Sequence, residues 1–436
     1  MNRRYFGTDG VRGPAGEVLT AELALRLGRA AGSLAGAGAR ALIVRDTRES
    51  GPMLESALAS GLASAGVDVR LGGVAPTPAA AIAVRRDGFD LAAVISASHN
   101  PYGDNGIKFF GPDGHKLTDA QEAEIEARLR AGAPAGRFGA VVARGDTARG
   151  YRWALAERFE GLDLRGLKVV LDCANGAAAG VAPDAFVSLG ARVTALGLEP
   201  DGRNINAGCG STHPEALVET VVSGGHDIGF AFDGDADRVL GCDRNGRLLD
   251  GDDLVVLAAG HLKRSGRLAG NGVTVTMMSN FGVRTAIADA GIDLCETQVG
   301  DRYLLAALRD RGWMLGAEPS GHLIDRNFAP SGDGVAAALL CLEALTGRDM
   351  ADVVPFARLP QVLRNVPVSG HAKTTAAHPA VGVAVREAEA TLAGRGRVLV
   401  RPSGTEPLVR VMAEAPSPDE AEAVVSILAE AVTACA

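Results

Sequence analysis

One pattern recurs three times along this chain of 436 residues and limits the folds that it can adopt. In each copy an amphipathic helical stretch precedes a short apolar run, and the run ends in a polar loop. The loops lie at residues 96–101, 233–238 and 318–322, and a turn signal that contains glycine follows each of them. Alternating short strands and helices are typical of layered α/β domains. We therefore predict three diverged copies of one α/β unit.

Each copy is expected to contain several strands that are separated by helices. The strands are predicted at residues 41–44, 67–71, 92–95, 168–172, 193–196, 228–232, 273–277 and 292–297. The helices are predicted at residues 52–65, 77–84, 183–189, 214–222, 252–263, 283–290 and 303–310. Thr212 and Glu215 have the spacing of a capping box, which predicts that these two side chains cap the helix at 214–222.

The last part of the chain follows a different pattern. Helices are predicted at 334–345, 381–392 and 417–432, and strands at 397–400 and 408–413. Here strands and helices alternate without the repeated polar loop, which indicates a smaller α+β domain. The predicted fold class is therefore α/β, with mixed sheets in three related domains and an α+β domain at the C-terminal end. The expected domain bounds are residues 1–147, 148–247, 248–355 and 356–436.

The composition narrows the partners and the compartment that we expect. The formal net charge is -8 with no block of Lys and Arg, which argues against a nucleic-acid interface. The six cysteines are scattered without a CxxC pair, so reduced thiols are expected rather than a disulfide framework or a zinc site. We find neither a secretory signal nor an apolar run of about 18 residues. The chain is therefore expected to be cytoplasmic, with no membrane partner.

The first polar loop, SASHNP, follows a predicted strand and contains Ser98. Ligands of α/β sheets bind beyond the carboxyl ends of strands, so Ser98 could present its hydroxyl to a substrate. Lys108 follows ten residues later and could neutralise a phosphate or act as an acid. A turn of Ser and Asn closed by proline is also common without any catalytic role. The loop alone leaves both alternatives open.

The second polar loop, DGDADR, places carboxylates at alternating positions, namely Asp233, Asp235 and Asp237. Such side chains can converge on one hard cation, and burying them without a partner would be costly. An EF-hand is excluded because Arg238 and Arg244 stand where that loop needs Gly and Glu. Mg²⁺ is the expected cation, since it keeps few protein ligands and bridges to phosphate. A solvated acidic turn is the alternative.

The third polar loop, EPSGH, contains two residues that could hydrogen-bond sugar hydroxyls, Glu318 and Ser320. His322 could transfer a proton, because the charge of histidine changes near neutral pH. Taken alone, this loop fits an ordinary turn with a surface histidine at least as well.

A fourth motif, RPSGTEP, has the character of an anion site. Small residues such as Gly404 expose backbone N–H groups as an anion nest. Ser403 and Thr405 add hydroxyls, while Arg401 and Arg410 can add charge-assisted hydrogen bonds. The motif is not a P-loop, because GxxxxGK[ST] is absent. An ordinary loop between two strands is the alternative.

Two further segments carry charges. The N-terminal segment is rich in glycine and contains Arg4, Asp9 and Arg12. The segment RDTR at residues 45–48 ends a predicted strand, and we interpret it as a structural cluster of ion pairs.

The four motifs together are more specific than any one of them. They supply a nucleophile, a metal site, hydrogen bonds to a sugar and a distant anion site, which suits phosphoryl transfer on a phosphosugar. SASHNP, DGDADR, EPSGH and RPSGTEP occur in the order found in the α-D-phosphohexomutase superfamily, which the chain resembles over nearly its whole length. RRYFGTDGVRG, ISASHNPYGDNGIKFF, NINAGCGSTHPEAL and QVGDRYLLAAL are similar to the branch that acts on glucosamine phosphates. Pro319 departs from the pattern, since that branch has a glutamine there.

The resemblance implies a fold of four domains around a central cleft and an intramolecular phosphotransferase. The expected reaction interconverts glucosamine 6-phosphate and glucosamine 1-phosphate through phosphorylated Ser98 and a 1,6-bisphosphate, which is also the activator. Such an enzyme supplies amino-sugar precursors for bacterial cell walls. A homodimer is a further expectation.

The resemblance also implies a role for each candidate residue. The expected ligands of Mg²⁺ are Ser98, Asp233, Asp235 and Asp237. The expected catalytic residues are Ser98, Lys108, His322, Arg12 and Arg238. The expected substrate-binding residues are Glu318, Ser320, Arg401, Ser403, Gly404, Thr405 and Arg410.

Three other functions remain as alternatives. A phosphomannomutase or a phosphoglucomutase would use the same chemistry on another sugar. A metal-dependent sugar phosphatase would use an aspartate as its nucleophile, so that Ser98 would be dispensable. A sensor of sugar phosphates would bind without turnover and would not require all four motifs.

Overall fold

The computed structural model describes residues 4–7, 9–129, 138–345, 347–403 and 406–436. The chain forms two compact units. The first unit consists of Met1–Met278 and Ile292–Pro355, and the second of Ser279–Gly291 and Phe356–Ala436. Among the described helices, none combines the length and the hydropathy that a membrane-spanning segment requires.

Strands and helices alternate through both units. The strands are β1 (Val11–Pro14), β2 (Arg40–Arg45), β3 (Asp68–Val74), β4 (Leu91–Ile95), β5 (Asp104–Phe110), β6 (Val141–Ala143), β7 (Lys168–Asp172), β8 (Arg192–Leu196), β9 (Ile228–Phe232), β10 (Val239–Asp243), β11 (Leu248–Leu249), β12 (Gly272–Thr276), β13 (Asp293–Thr297), β14 (Leu315–Ala317), β15 (Leu323–Asp325), β16 (Gln361–Pro367), β17 (Arg397–Pro402) and β18 (Leu408–Glu414). The helices are α1 (Ala21–Ala35), α2 (Gly51–Ser64), α3 (Thr77–Arg86), α4 (Asp119–Arg128), α5 (Thr147–Arg158), α6 (Ala182–Ser188), α7 (Glu215–Ser223), α8 (Gly251–Arg264), α9 (Phe281–Asp289), α10 (Asp301–Arg311), α11 (Gly334–Leu345), α12 (Ala372–Ala376), α13 (Pro379–Leu392) and α14 (Pro418–Thr433).

The three sheets of the first unit share one arrangement. Their strand orders are β1-β5-β4-β2-β3-β6, β11-β10-β9-β7-β8 and β13-β12-β14-β15. In each sheet, the strand before the polar loop lies parallel to an earlier strand and antiparallel to the strand after the loop. Each polar loop is therefore the turn between two antiparallel strands. The α/β class with mixed sheets is confirmed, and the shared arrangement supports the three related units.

Apolar pairs fix the start of each polar loop. Ile95 is opposite Ile107, Phe232 is opposite Val239, and Ala317 is opposite Leu323. All residues of β4 and β9 are buried, which explains why their sequences are continuous apolar runs. Polar side chains beyond these pairs are thus held close to rigid strands.

Helices α1 and α2 pack against each other through glycines. A Cβ atom on Gly28 would lie 2.3 Å from the carbonyl oxygen of Leu58, and one on Gly61 would lie 2.1 Å from that of Leu25. Only a residue without a side chain permits such a close approach of two backbones. The pair contributes to the buried core of the first sheet together with Leu27, Leu58 and Ile43. This core supports the strand that leads to Ser98.

The helix at Glu215–Ser223 begins differently from the prediction. Its N-cap is Pro214, and no side chain forms a capping hydrogen bond there. Thr212 instead belongs to a 3₁₀ turn over Gly210–Thr212. The predicted capping box of Thr212 and Glu215 is therefore wrong, because the 3₁₀ turn and the proline separate the threonine from the first helical turn.

The second unit contains an antiparallel sheet in the order β16-β18-β17, with α12, α13 and α14. Its core contains Leu392, Val409, Val411 and Leu428, which are buried. The segment Ser279–Gly291 joins this unit, since the Asn280 amide donates a hydrogen bond of 3.0 Å to the carbonyl of Leu359. The predicted small α+β domain at the C-terminal end is confirmed.

Candidate active site

Ser98 lies in the turn between β4 and β5 and is buried. Its φ angle of 54° belongs to the left-handed region, which few residues other than glycine adopt. The hydroxyl Oγ donates a hydrogen bond to Oδ2 of Asp233 in the turn between β9 and β10. The serine and the acidic loop are thus in direct contact, although 135 residues separate them along the chain.

The three aspartates of the second loop form a buried cluster. Asp233, Asp235 and Asp237 each offer one carboxylate oxygen, and these atoms lie within 4.8 Å of one another. The exposed fraction is 0% for Asp233, 0% for Asp235 and 4% for Asp237. The alternative of a solvated acidic turn is therefore excluded. Oδ1 of Asp235 and Oδ1 of Asp237 are buried without a hydrogen-bond partner among the described residues. This donor set fits a hard divalent cation.

Electrostatics in the cluster also favour a cation. Burial, followed by the charges of Asp237 and Asp235, raises the pKa of Asp233 well above its ordinary value of 3.8. Burial would likewise raise the pKa of Asp237, but Lys108 and His322 lower it well below that value. Carboxylates this close cannot all ionise without positive charge nearby.

Lys108 on β5 provides part of that positive charge and is 1% exposed. Its Nζ lies 3.0 Å from Oδ2 of Asp235, 3.2 Å from Oδ2 of Asp9 and 3.7 Å from Oδ2 of Asp237. Burial alone would lower its pKa, but the facing carboxylates of Asp235 and Asp9 raise the pKa above 10.5. The amine therefore stays protonated at neutral pH.

Six side chains of alternating charge form a closed ring at the site. Lys116 pairs with both Asp9 and Asp301. His322 lies 3.9 Å from Oδ2 of Asp301 through Nε2 and 3.7 Å from Oδ2 of Asp237 through Nδ1. In order, the ring contains Asp237, Lys108, Asp9, Lys116, Asp301 and His322.

His322 is 4% exposed, so the alternative of a surface histidine is excluded. Burial would lower its pKa, but the hydrogen bond and charge of Asp237, together with Asp301, raise the pKa above 6.5. Nε2 of His322 has no hydrogen-bond partner in the part of the chain that the structure describes. The imidazole thus retains a nitrogen that can contact a ligand.

Two arginines flank the metal loop. Arg12 pairs with Asp9, and its Nη1 donates to the carbonyl of Ala97 at 3.3 Å. Arg238 lies with Nε 3.8 Å from Oδ1 of Asp237. Both Nε atoms are buried without a hydrogen-bond partner among the described residues. These donors remain for an anionic oxygen near Ser98.

His99 was not predicted as a site residue, although it follows Ser98 directly. Its Nδ1 lies 3.5 Å from Oγ of Ser98. Burial, followed by the charges of Arg238 and Arg12, lowers the pKa of His99 to about 4. The imidazole is therefore neutral at physiological pH.

The third polar loop, at residues 318–322, is the turn between β14 and β15. Oε1 of Glu318 accepts a hydrogen bond of 2.9 Å from the backbone N–H of Gly300, while Oγ of Ser320 lies 3.4 Å from Oε2 of Glu318. The backbone N–H of Val239 donates to the carbonyl of Gly321 at 3.2 Å. The third polar loop is thus hydrogen-bonded directly to β10, the strand that follows the aspartate loop.

The predicted anion loop of the second unit is the turn between β17 and β18. Arg401 and Arg410 are directly opposite each other across these strands. Oγ of Ser403 accepts a hydrogen bond of 3.3 Å from the backbone N–H of Glu406, whose carboxylate lies 3.7 Å from Nη2 of Arg410. Gly404 and Thr405 lie outside the described residues.

Several residues at the site were not predicted. Thr77 donates from Oγ1 to Oδ2 of Asp235 at 2.6 Å, and the Asn206 amide donates to the carbonyl of Ser98 at 2.9 Å. Asp9, Lys116 and Asp301 complete the ring of charges. Asn206 and Asp301 lie in the stretches NINAGCG and QVGDRY, so the resemblance carried a signal for them. Nothing in the sequence marked Thr77 as a site residue except its position after a predicted strand.

A serine hydroxyl that faces buried carboxylates, with lysine and arginine beside them, defines a site for phosphoryl transfer. Models of the phosphoglucomutase/phosphomannomutase family match four consecutive segments of the chain. Alpha/beta/alpha domains I, II and III match residues 3–135, 150–246 and 250–357, and the C-terminal domain matches residues 363–431. The chain belongs to the phosphoglucomutase/phosphomannomutase family. This confirms the resemblance that the four motifs indicated.

Individual relatives specify the branch of the family. The phosphoglucosamine mutase of Cereibacter sphaeroides is 50% identical over 427 residues, which are 95% of this chain and 95% of that protein. The phosphoglucosamine mutase of Gluconacetobacter diazotrophicus is 49% identical over 443 residues, covering 99% and 98% of the two chains. A crystal structure of a phosphoglucomutase/phosphomannomutase family protein from Burkholderia thailandensis superimposes with a TM-score of 0.83 at 26% identity, covering 98% of this chain and 97% of that one.

Proposed function

We propose that this chain is a phosphoglucosamine mutase, which interconverts glucosamine 6-phosphate and glucosamine 1-phosphate and supplies amino-sugar precursors for bacterial cell walls. The contact of Ser98 with Asp233 is the observation that carries the proposal. A serine hydroxyl beside a buried carboxylate cluster supports transfer through a phosphoserine, in which the serine oxygen is the nucleophile. The identity of 50% to the Cereibacter sphaeroides enzyme over 95% of the chain supports the choice of sugar.

Mg²⁺ is the metal that we propose for the aspartate cluster. The cluster offers carboxylate oxygens as ligands, and one from each aspartate lies within 4.8 Å of the others. Oδ1 of Asp235 and Oδ1 of Asp237 have no hydrogen-bond partner among the described residues. Hard oxygen ligands of this kind suit Mg²⁺, which keeps further positions for phosphate. When bound together with the phosphoryl group on Ser98, the ion would neutralise the charge of that group.

The proposed reaction begins with a phosphoryl group on Ser98. The 1-hydroxyl oxygen of glucosamine 6-phosphate bonds to phosphorus while the bond from phosphorus to Oγ of Ser98 breaks. The hydroxyl proton passes to a base, and glucosamine 1,6-bisphosphate results. After this bisphosphate has reversed its orientation, Oγ of Ser98 takes the 6-phosphoryl group and the 6-oxygen of the sugar takes a proton. The products are glucosamine 1-phosphate and the original phosphoserine.

Lys108, His322, Arg12 and Arg238 are the residues that we propose for charge and proton transfer. Lys108 stays protonated between Asp235 and Asp9, which suits a donor to phosphoryl oxygens. His322 has a raised pKa, and its Nε2 has no hydrogen-bond partner among the described residues, which suits proton exchange with the sugar. The buried Nε atoms of Arg12 and Arg238 would donate to the transferring group.

Substrate binding is proposed at two loops. Glu318 and Ser320 would bond the sugar hydroxyls, and Arg401, Ser403 and Arg410 the phosphate that is not being transferred. Gly404 and Thr405 remain part of this prediction. A cytoplasmic location and a homodimer also remain predictions that rest on the composition and the resemblance.

The first test locates the phosphate. Peptide mass spectrometry of the purified protein should find phosphate on the peptide that contains Ser98, at Ser98 itself. Ser98→Ala should remove the phosphate and abolish isomerisation. A phosphatase with an aspartate nucleophile would retain hydrolysis in this variant, and phosphate on Ser96 would contradict the assignment of the nucleophile.

The second test addresses the sugar. Turnover of glucosamine, glucose and mannose phosphates should be compared at equal enzyme and bisphosphate concentrations. We expect kcat/KM to be highest for glucosamine phosphates. A preference of several orders of magnitude for mannose 1-phosphate would instead identify a phosphomannomutase.

A further inference from the structure

A fully buried arginine lies behind the turn that contains Ser98. Arg48 follows β2, and its side chain and that of Asp46 are both 0% exposed. Nε of Arg48 donates to Oδ2 of Asp46 at 2.9 Å. Oδ2 of Asp46 also accepts a hydrogen bond of 2.6 Å from the hydroxyl of Ser96. The predicted ion-pair cluster at residues 45–48 thus extends to the serine turn.

The other donors of Arg48 all point at backbone carbonyls of this turn. Nη2 donates to Ser98 at 2.9 Å and to Asn100 at 2.7 Å. Nη1 donates to Asp104 at 2.9 Å and also to Pro101. Four carbonyl dipoles that converge in a buried space repel one another unless a cation lies between them. A guanidinium provides five donors in a fixed plane, and here all five are used.

The same contacts enclose the backbone of Ser98 from both sides. Its N–H donates to Oγ of Ser96 at 2.9 Å, and its carbonyl accepts from Arg48 and from the Asn206 amide. A serine at a φ angle of 54° has an unfavourable backbone that persists only where the surroundings impose it. In this conformation Oγ reaches Asp233.

We infer that Arg48, paired with Asp46, is a positioning residue that imposes the left-handed conformation of Ser98 and so directs its hydroxyl at the aspartate cluster. The inference rests on the proposed mutase activity. It assigns Arg48 no contact with the sugar, so the pair acts on phosphoryl transfer and not on substrate binding. A displacement of about 1 Å at a reacting atom is enough to lower a rate by about 100-fold.

Arg48→Lys is the first test, because it keeps the buried positive charge but supplies three donors where the turn uses five. We expect kcat to fall by about 100-fold, with KM within about threefold of the wild type. The rate at which Ser98 takes up a phosphoryl group from glucose 1,6-bisphosphate, followed by intact mass, should fall by the same factor. An unchanged kcat or an unchanged phosphorylation rate would overturn the inference.

A second measurement separates positioning from general damage to the site. The dissociation constant of glucosamine 6-phosphate should be the same in Ser98→Ala and in the double variant Ser98→Ala/Arg48→Lys. Weaker binding in the double variant would show that Arg48 supports the whole pocket, which would overturn the positioning role.

Arg247→Lys is the matched control. Arg247 also pairs with an aspartate, since Nε donates to Oδ2 of Asp243 at 2.9 Å, and Nη2 donates to the carbonyls of Met350 and Val353. It follows the far end of β10, about 15 Å along the strand from the metal loop. This substitution should leave kcat unchanged, and a loss equal to that of Arg48→Lys would attribute the effect to reduced stability.

Ser96→Ala serves if Arg48→Lys does not fold. It removes the hydroxyl that accepts from the N–H of Ser98 and donates to Asp46, and it leaves only a small cavity. We expect kcat to fall by about tenfold at unchanged KM, and a wild-type kcat would overturn the inference. Measurements on the wild type separate a failure of the proposed mutase function from a failure of the inference about Arg48. If the wild type shows neither phosphoserine nor turnover, the proposed function itself is wrong.

Discussion

At the residue scale, Asp235 shows how neighbouring side chains can orient a candidate metal ligand. Its Oδ2 is occupied by Thr77 at 2.6 Å and by Lys108 at 3.0 Å, whereas its Oδ1 has no hydrogen-bond partner among the described residues. Two hydrogen bonds on one oxygen fix the orientation of the carboxylate and leave the other oxygen available for a cation. Loss of a partner that orients a metal ligand in this way typically lowers metal affinity or activity by about 10- to 100-fold.

Thr77→Val should therefore weaken Mg²⁺ binding by about tenfold, since it removes the hydroxyl and keeps the shape of the side chain. Isothermal titration with Mg²⁺ measures the effect without reference to turnover. Thr77→Ser retains the hydroxyl and should bind like the wild type. Equal affinity in the valine variant would show that Lys108 alone orients Asp235.

A second buried carboxyl, Asp333, gives the chain a dependence of stability on pH. Oδ1 of Asp333 accepts a hydrogen bond of 2.6 Å from the hydroxyl of Tyr151, and burial raises the pKa of Asp333 to about 7. A carboxyl group whose pKa is higher in the folded state than in the unfolded state stabilises the folded state. Its contribution to the free energy of unfolding is greatest below the pKa of the unfolded state. This contribution declines as the pH rises and is lost above about pH 7.

Asp333→Asn removes the titration and keeps the acceptor for Tyr151. Relative to the wild type, the variant should gain about 1.4 kcal/mol per pH unit between pH 4 and pH 7, and the difference should be constant above pH 7. Urea unfolding at pH 5, 6, 7 and 8 measures it. Asp163→Asn is the control, because that carboxyl is exposed with a pKa of about 2 and should show no change over this range.

At the scale of elements, the antiparallel pair around each polar loop is what the local patterns did not predict. The strands before the first two loops, β4 and β9, are continuous apolar runs and were predicted at 92–95 and 228–232. No strand was predicted at β14, β5, β10 or β15. β5 begins Asp-Asn-Gly, which is unfavourable for a strand, and β15 has only three residues. Their conformation depends on pairing with the preceding strand, which a local pattern does not contain.

The contact between α1 and α2 allows a test at this scale. Gly61→Ala would place a Cβ atom 2.1 Å from the carbonyl of Leu25, so the two helices must separate. We expect a loss of about 2–3 kcal/mol in the free energy of unfolding, measured by urea denaturation.

Gly260→Ala in α8 is the matched control for the helix contact. Among the described residues, the Cβ atom there would meet the end of the Arg264 side chain alone, at 3.2 Å. Because alanine favours a helix interior over glycine, this variant should gain up to about 1 kcal/mol. Equal effects of the two substitutions would contradict the proposed close contact of backbones.

For the whole molecule, the division into two compact units predicts two unfolding transitions. Glu414 is buried in the second unit, where it accepts hydrogen bonds from Arg397 at 2.7 Å and from the N–H of Phe281 at 2.8 Å. Glu414→Gln removes the charge opposite Arg397 and should destabilise the second unit by about 3–5 kcal/mol.

Differential scanning calorimetry should show that this variant lowers the transition with the smaller enthalpy, which belongs to the smaller unit. The other transition should stay where it is in the wild type. Gly61→Ala lies in the first unit. It should lower the transition with the larger enthalpy and leave the other transition unchanged. A single transition that both substitutions shift equally would contradict two independent units.

The fold class, the family and the type of chemistry could be predicted from the amino-acid sequence alone. The alternation of strands and helices and the four motifs depend on residues close together in the chain, and these indicated the α/β class, the family and the type of chemistry. Local patterns did not predict the contacts between distant residues. The resemblance alone led us to expect that Ser98 lies close to Asp233, which is 135 positions away, because it gave both as ligands of one ion. The pairing of Lys116 with Asp301, 185 positions apart, was not predicted. Residues close together in the chain largely determine its helices and strands. The contacts around Arg48, Thr77 and Asp333 form only when distant segments have packed together. That packing determines how deeply these side chains are buried, and with it the raised pKa of Asp333 and the conformation of Ser98.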